Sequence, residues 1–274
     1  MSRVNYFEQR VPAEDGLLLN FYHWEIEGAK AAVVISHGWS EHVGRYLSLI
    51  NWLNEQGYAV YALDHRGHGK SEGKRGHVRR WTDYARDLEL LRSRVKPEKQ
   101  YLLGHSMGGM IAIVHALEFP EQFSAMALSG PASDVSIAVP KIQQIIGNTM
   151  SSWMPRLTIN NDIDPSVVCS DPAVVADYVS DPFTHGKVTA RWFSEYMKII
   201  KRVKQDASLI RTPLGIWHGE GDVLVEPWVS EEFYNRLTTP HRKRTIVTDA
   251  LHEILLEPSW LKTSLEMKNW LEQY

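Results

Sequence analysis

The chain has 274 residues, with 30 Lys and Arg against 33 Asp and Glu and a single cysteine, Cys169. A hydrophobic fraction of 43% beside 23% charged residues excludes a disordered chain, and the length is ample for one large core or two small ones. The formal charge of −3 gives no general pull toward nucleic acid, and one cysteine excludes an intrachain disulfide framework.

The opening residues, MSRVNYFEQR, have no apolar stretch after their charges, so no secretory signal is expected. The closing WLEQY matches no lipidation motif. No apolar run approaches ~20 residues, which argues against a membrane-spanning helix. A reducing, cytoplasmic location is the expectation.

Residues Val4 to Val11 and Leu17 to Ile26 alternate about Glu14-Asp15-Gly16 and predict an antiparallel hairpin. Continuous apolar runs follow at 31–39, 59–65, 100–106, 125–131 and 213–222. Such runs mark strands buried on both faces, as in a parallel sheet. Helical spacing fills the gaps, over 44–56, 82–95 and 108–119. Strand and helix in alternation predict a doubly wound α/β fold.

Between Pro131 and Pro213 the alternation stops for about 80 residues, too long for a structureless loop in a compact domain. Its apolar residues fall on helical stripes, one from Pro140 to Met154 and one from Trp192 to Val203. Residues 132–212 are therefore expected to form an inserted helical cap, with residues 1–131 and 213–274 as the core. Sheet and helix resume at 213–222, 228–237, 243–250 and 258–272.

The strongest chemical signal is Gly104-His105-Ser106-Met107-Gly108, a G-x-S-x-G between a predicted strand and a predicted helix. So tight a strand-to-helix turn needs small residues two positions either side of the serine. It pushes Oγ out at the carboxyl end of the sheet, where the helix N-terminus offers amides to a developing oxyanion. A serine nucleophile needs a base, and the base an orienting acid, in the order Ser, Asp or Glu, His. Asp222 in His218-Gly219-Glu220-Gly221-Asp222 and His252 in Ala250-Leu251-His252-Glu253 both follow strands and keep that order. Glu220 and Asp249 compete as acids; Asp222 is preferred because Gly219 and Gly221 let the chain turn back toward the site. The loop His37-Gly38-Trp39 after the first buried strand places the Trp39 amide to pair with that of Met107 as the oxyanion hole.

HGWSEHVGRY, DHRGHGKSEG, GHSMGG, LSGP, DPFTHGK and LHEILLE together resemble the monoacylglycerol lipase and lysophospholipase family of α/β-hydrolases, over nearly the whole chain. The resemblance implies an α/β-hydrolase fold, with a mostly parallel central sheet, helices on both faces and a helical cap. It implies Ser106, Asp222 and His252 as the triad, and Trp39 in the oxyanion hole where many members have a smaller residue. It also implies a substrate-binding role near the departing glycerol for Glu41 and Arg45, an amphiphilic lipid ester as substrate, and no cofactor. The same triad serves carboxylesterases, thioesterases and some aminopeptidases, and a non-catalytic binding protein could share the fold. A peptidase would want an acidic clamp, for which Asp162, Asp164 and Asp171 are candidates.

Other signals fail. Gly69-Lys70-Ser71 lacks the first glycine of a P-loop, since that position is Asp64, and a dinucleotide fingerprint from Gly67 fails at Glu72. That stretch reads as a turn, with Asp64 and Arg66 as an expected pair. No histidine pair among His37, His42, His65 and His68 has a third ligand at a zinc spacing, so no metal is expected. Residues 186–211 carry seven Lys or Arg against Glu195 and Asp206. They read first as a core-facing helix with a solvated outer face. Segment 137–155, charged only at Lys141, reads as a lid that touches a membrane.

Overall fold

The computed structural model describes residues 4–135, 150–160 and 163–274. Most of the helical stripe expected from Pro140, and most of the expected lid 137–155, lie outside the described residues. Strand β1 (Val4–Pro12) pairs antiparallel with β2 (Leu18–Ile26), as the alternation about Gly16 predicts. Then come β3 (Ala31–Ser36), α1 (Leu47–Glu55), β4 (Tyr58–Asp64), α2 (Thr82–Arg92), β5 (Gln100–His105), α3 (Met107–Glu118) and β6 (Ala125–Ser129). With β9 (Leu214–Gly219) and β10 (Arg242–Val247) from further along the chain, the sheet order is β1-β2-β4-β3-β5-β6-β9-β10, parallel from β4 onward.

Every residue of β3, β4, β5 and β6 is buried, which is why those strands appear in sequence as unbroken apolar runs. One core lies on each face of the sheet. Leu88, Ile111, Val114 and Phe233 belong to the first; Ile50, Leu53, Trp217 and Met267 belong to the second. Because all parallel strands run the same way, the loops after β3, β5, β6 and β9 collect at one edge, where ligands bind in such sheets.

Between β6 and β9 (Leu214–Gly219) the chain leaves the sheet. Here the expectation of helix alone needs correction. Strand β7 (Thr158–Asn160) pairs with β8 (Lys187–Thr189) in a small antiparallel ribbon. Three-residue strands are too short to show a period. Helices α4 (Pro172–Ser180) and α5 (Ala190–Asp206) belong to the same excursion. The apolar stripe of α5 is buried in the first core, with Trp192 5.1 Å from Trp81 between ring centroids. Its cations face outward and pair with acids: Lys198 with Glu195, Arg202 with Glu118 and Asp206, Lys204 with Asp134. Helix α6 (Pro227–Arg236), β10 (Arg242–Val247) and α7 (Trp260–Leu271) close the fold. No described helix is long and apolar enough to cross a membrane.

The expected Asp64–Arg66 pair is not formed. Arg66 binds Asp87 through two nitrogens, at 2.6 and 2.7 Å, and Asp15 at 2.9 Å. Asp64 instead accepts from Tyr22 Oη and from the amides of Val43 and Lys70. Asp64 faces back under the turn that Gly67 and Gly69 bend with positive φ, so the two side chains point apart.

Candidate active site

Ser106 sits between β5 and α3 with φ 51° and ψ −114°, a conformation that L-residues avoid. The steric reading of its glycines holds. A Cβ on Gly104 would lie 2.7 Å from the Gly108 carbonyl oxygen, and one on Gly108 would lie 2.0 Å from that of Ser36. The start of α3 is thus pressed against the end of β3, which brings the Met107 amide beside the loop that carries Trp39.

That loop is held from three sides. His37 Nδ1 donates to the Gly38 carbonyl at 2.8 Å, while His37 Nε2 accepts from the His65 amide at 2.9 Å. The Gly38 carbonyl and the Trp39 N–H belong to one planar trans peptide, so fixing the carbonyl aims the N–H the opposite way. The Gly38 amide donates to Glu41 Oε1. Ser40, at φ 66°, accepts from the His185 amide at 2.9 Å and ties the loop to the excursion between β6 and β9.

His252 and Asp222 meet where the ends of β9 and β10 lie side by side. His252 Nδ1 is 2.6 Å from Asp222 Oδ2. Burial pushes the Asp222 carboxyl up, but the charge of His252 and the hydrogen bonds from His218 and His252 outweigh it and hold it well below the usual range. Burial pushes His252 down; the Asp222 charge and hydrogen bond, then Glu253 and Glu41, push it further up, so it ends above 6.5. Asp222 is 2% exposed, which gives its bond to His252 little competition from water. Glu220 and Asp249, the competing acids, make no ion pair with His252. Gly219 is needed for close approach: a Cβ there would lie 1.9 Å from the Leu251 carbonyl oxygen.

Ser106, Met107, Trp39 and His252 line one cavity of about 500 Å³. Its walls are apolar and aromatic, with Trp81, Val168, Trp192, Phe193, Tyr196 and Val225 among them. Glu41 also lines it, but Arg45 does not; Arg45 lies behind the wall, bound to Glu41 at 3.2 Å and to Glu253 at 2.8 Å. Glu253, which also lines the cavity, was not singled out from the sequence, and neither were His218 and Ser40. Glu253 had one available signal, its place directly after the late histidine. Asp164 and Asp171 cap short helices, accepting from Ser166 and Ala173 amides, and neither lines the cavity; Asp162 lies outside the described residues. Cys169 is buried and its thiol is pushed up to about 12 by burial, far from nucleophilic use. Among the described residues no cluster of three or more His, Cys, Asp or Glu is arranged to hold a metal ion.

The serine aminopeptidase, S33, family model matches residues 27–259. The monoacylglycerol lipase of Mycolicibacterium smegmatis is 32% identical over 247 residues, 88% of each chain. Phospholipase YtpA of Bacillus subtilis is 26% identical over 256 residues, 92% of this chain and 98% of that one. The crystal structure of Paleococcus ferrophilus monoacylglycerol lipase superposes with a TM-score of 0.84 at 26% identity, over 98% of this chain and 99% of the other. Sheet order, strained serine and similarity along most of the sequence agree, and the chain belongs to the serine aminopeptidase, S33, family as a serine ester hydrolase of the α/β-hydrolase fold.

Proposed function

We propose that the protein hydrolyses carboxylic esters of amphiphilic lipids, with monoacylglycerol as the favoured substrate and lysophospholipid as the second. The observation that carries this is the shared cavity. A serine on a strained elbow and a histidine bonded to a buried aspartate open into one apolar space large enough for an acyl chain. The relatives named above, two monoacylglycerol lipases and a phospholipase, support the substrate class.

In this reading His252 Nε2 takes the proton of Ser106 as Oγ attacks the acyl carbonyl. The amides of Trp39 and Met107 receive the oxyanion. His252 returns the proton to the departing alkoxide oxygen, which frees the alcohol and leaves the acyl group on Ser106. Water then gives a proton to His252 and its oxygen to the acyl carbon, and the fatty acid leaves as Ser106 recovers its proton. Asp222 orients His252 and stabilises its cation. Glu41 and Arg45 serve the head-group side through Glu41, which lines the cavity.

Residues 132–212 act as a cap over that cavity and meet the lipid surface peripherally. Trp153, 84% exposed, and the exposed Met154, Leu157 and Ile159 support this contact. The apolar stripe of α5 does not, because it is spent on the core. A free, buried Cys169 agrees with a cytoplasmic location. Against a peptidase, each carboxylate among the described lining residues already bonds a cation of the chain: Glu41 and Glu253 share Arg45, and Asp134 has Lys204.

A fluorophosphonate probe should label the wild type and not Ser106→Ala. Hydrolysis of a chain-length series of monoacylglycerols should exceed that of aminoacyl anilides. Absence of labelling in both proteins, or faster anilide cleavage, refutes the proposal. Co-sedimentation with liposomes tests the cap contact, and its failure with both neutral and anionic lipid removes that part.

A further inference from the structure

Asp222 has a second histidine on its other side. His218, the penultimate residue of β9, lies four residues earlier and is fully buried. Its Nε2 is 2.6 Å from the Val225 carbonyl oxygen and 3.1 Å from Asp222 Oδ2. A carbonyl only accepts, so this nitrogen carries the proton and the ring donates to both oxygens. His218 Nδ1 is buried and has no hydrogen-bond partner among the described residues, so the polar contacts of the ring run through Nε2.

The carboxylate is then surrounded. Oδ1 accepts from the amides of Leu224 and Val225, each at 2.9 Å. Oδ2 accepts from His218 Nε2 and from His252 Nδ1. A carboxylate has about four acceptor directions, and all four are used. The two amides hold the carboxylate by Oδ1 only, at one end. His218 holds the other end by tying Oδ2 and the Val225 carbonyl to one N–H, which links the 222–225 turn to the end of β9.

We propose that His218 is a positioning residue of the ester hydrolysis: its Nε2–H fixes Asp222 Oδ2 in the place where it can hold His252. This rests on the assignment of Asp222 and His252 made above. The ring also takes up part of the carboxylate's charge, so Asp222 faces His252 as a weaker anion than it would alone. A structural role in packing would need only the volume of the ring; a positioning role needs the donor.

The test compares His218→Gln, which returns an N–H donor close to the position of Nε2, with His218→Phe, which keeps the volume and loses the donor. The Gln variant should stay within about fivefold of wild-type kcat, and the Phe variant should lose roughly tenfold to hundredfold in kcat with little change in KM. The acid limb of kcat/KM in the Phe variant should move to higher pH, because a carboxylate short of one donor favours the His252 cation. Wild-type kinetics in the Phe variant overturn the proposal, and so does a folded Gln variant as slow as Phe. If Phe does not fold, the wild type still decides. Nitrogen-15 NMR of the ring, assigned by its loss in the Gln variant, should show His218 protonated at Nε2 and bare at Nδ1. The opposite tautomer overturns the proposal. Fluorophosphonate labelling of Ser106 in each variant keeps these outcomes apart from failure of the hydrolase assignment itself.

Discussion

Arg45 grips Glu253 through both terminal nitrogens, and Glu253 is the residue that follows His252. The pair is 7% and 6% exposed in its side chains, so it acts on His252 through little water. Burial opposes protonation of His252, while Asp222 and then Glu253 and Glu41 favour it, and the net direction is up. In the proposed mechanism His252 must be neutral to take the serine proton. Activity should therefore fall as pH drops through a value above 6.5. Glu253→Gln removes one negative neighbour and leaves Arg45 with Glu41 alone. Both changes disfavour the His252 cation, so the acid limb of kcat/KM should move to lower pH. Measurement on a water-soluble ester checks this, and an unmoved limb rejects the coupling.

The elbow gives a prediction in which stability and activity part company. Ser106 holds φ 51° with a side chain, at a cost of about 1–3 kcal/mol. Glycine relieves that cost but loses up to about 1 kcal/mol through the freer unfolded chain. Ser106→Gly should be more stable than Ser106→Ala by about 1 kcal/mol, and both should be inactive. Urea unfolding of the two variants settles the sign. Equal midpoints would mean that the strain stored in the elbow is no larger than the roughly 1 kcal/mol that glycine loses through the unfolded chain.

The same elbow shows what the sequence makes legible. Gly104, Ser106 and Gly108 announce it because only small residues fit a turn so tight, and the buried strands announce themselves by having no polar alternation. Asp222 and His252 follow from chain order. What escaped depends on contacts between segments far apart in sequence. The ribbon of β7 and β8 joins residues 158–160 to 187–189, with no local pattern in either piece. Arg66 sits two residues from Asp64 and yet turns to Asp87, because Asp64 is already taken by Tyr22 and two amides. His218 looked like part of a strand end, and its bond to Asp222 appears only when the 222–225 turn folds back. Glu41 and Arg45 stood out only by resemblance, and their mutual bond and Glu253 came from the structure.

Buried histidines tie stability to pH. His37, His65, His68 and His105 are at most 3% exposed, and burial pushes each below 6.5, His37 to about 4. Below pH 6.5 the unfolded chain binds protons that these folded rings refuse, so stability present above 6.5 is lost as pH falls toward their folded values. Each of the four rings adds to that loss for as long as it stays uncharged in the fold. His252, shifted the other way, offsets part of it. Thermal unfolding should show Tm falling steeply between pH 7 and pH 5, and a level Tm across that range would contradict the burial of uncharged rings.

Gly219 tests whether the acid and the base depend on one backbone contact. Its hydrogens face the Ala250–Leu251 peptide, and a Cβ would meet the carbonyl oxygens of Leu251 at 1.9 Å and Ala250 at 2.7 Å. Both obstacles are backbone, so neither can rotate away. The Gly221 amide bonds to the Ala250 carbonyl at 2.9 Å, so the Asp222 and His252 loops are already joined at this point. Gly219→Ala must push them apart by roughly 1 Å, enough to stretch the Asp222–His252 bond from 2.6 Å beyond useful length. A misplacement of about that size costs on the order of a hundredfold in rate. The expected result is a large loss of kcat with Ser106 still present and the sheet still folded. Gly221→Ala is the control. Its Cβ would meet the Leu251 side chain at 3.0 Å and the Ala250 oxygen only at 3.5 Å, so a small side-chain shift accommodates it. Comparable losses in both variants would show that the loops tolerate no side chain at all; equal, near-wild-type rates would show that the contact at Gly219 does not hold the acid to the base.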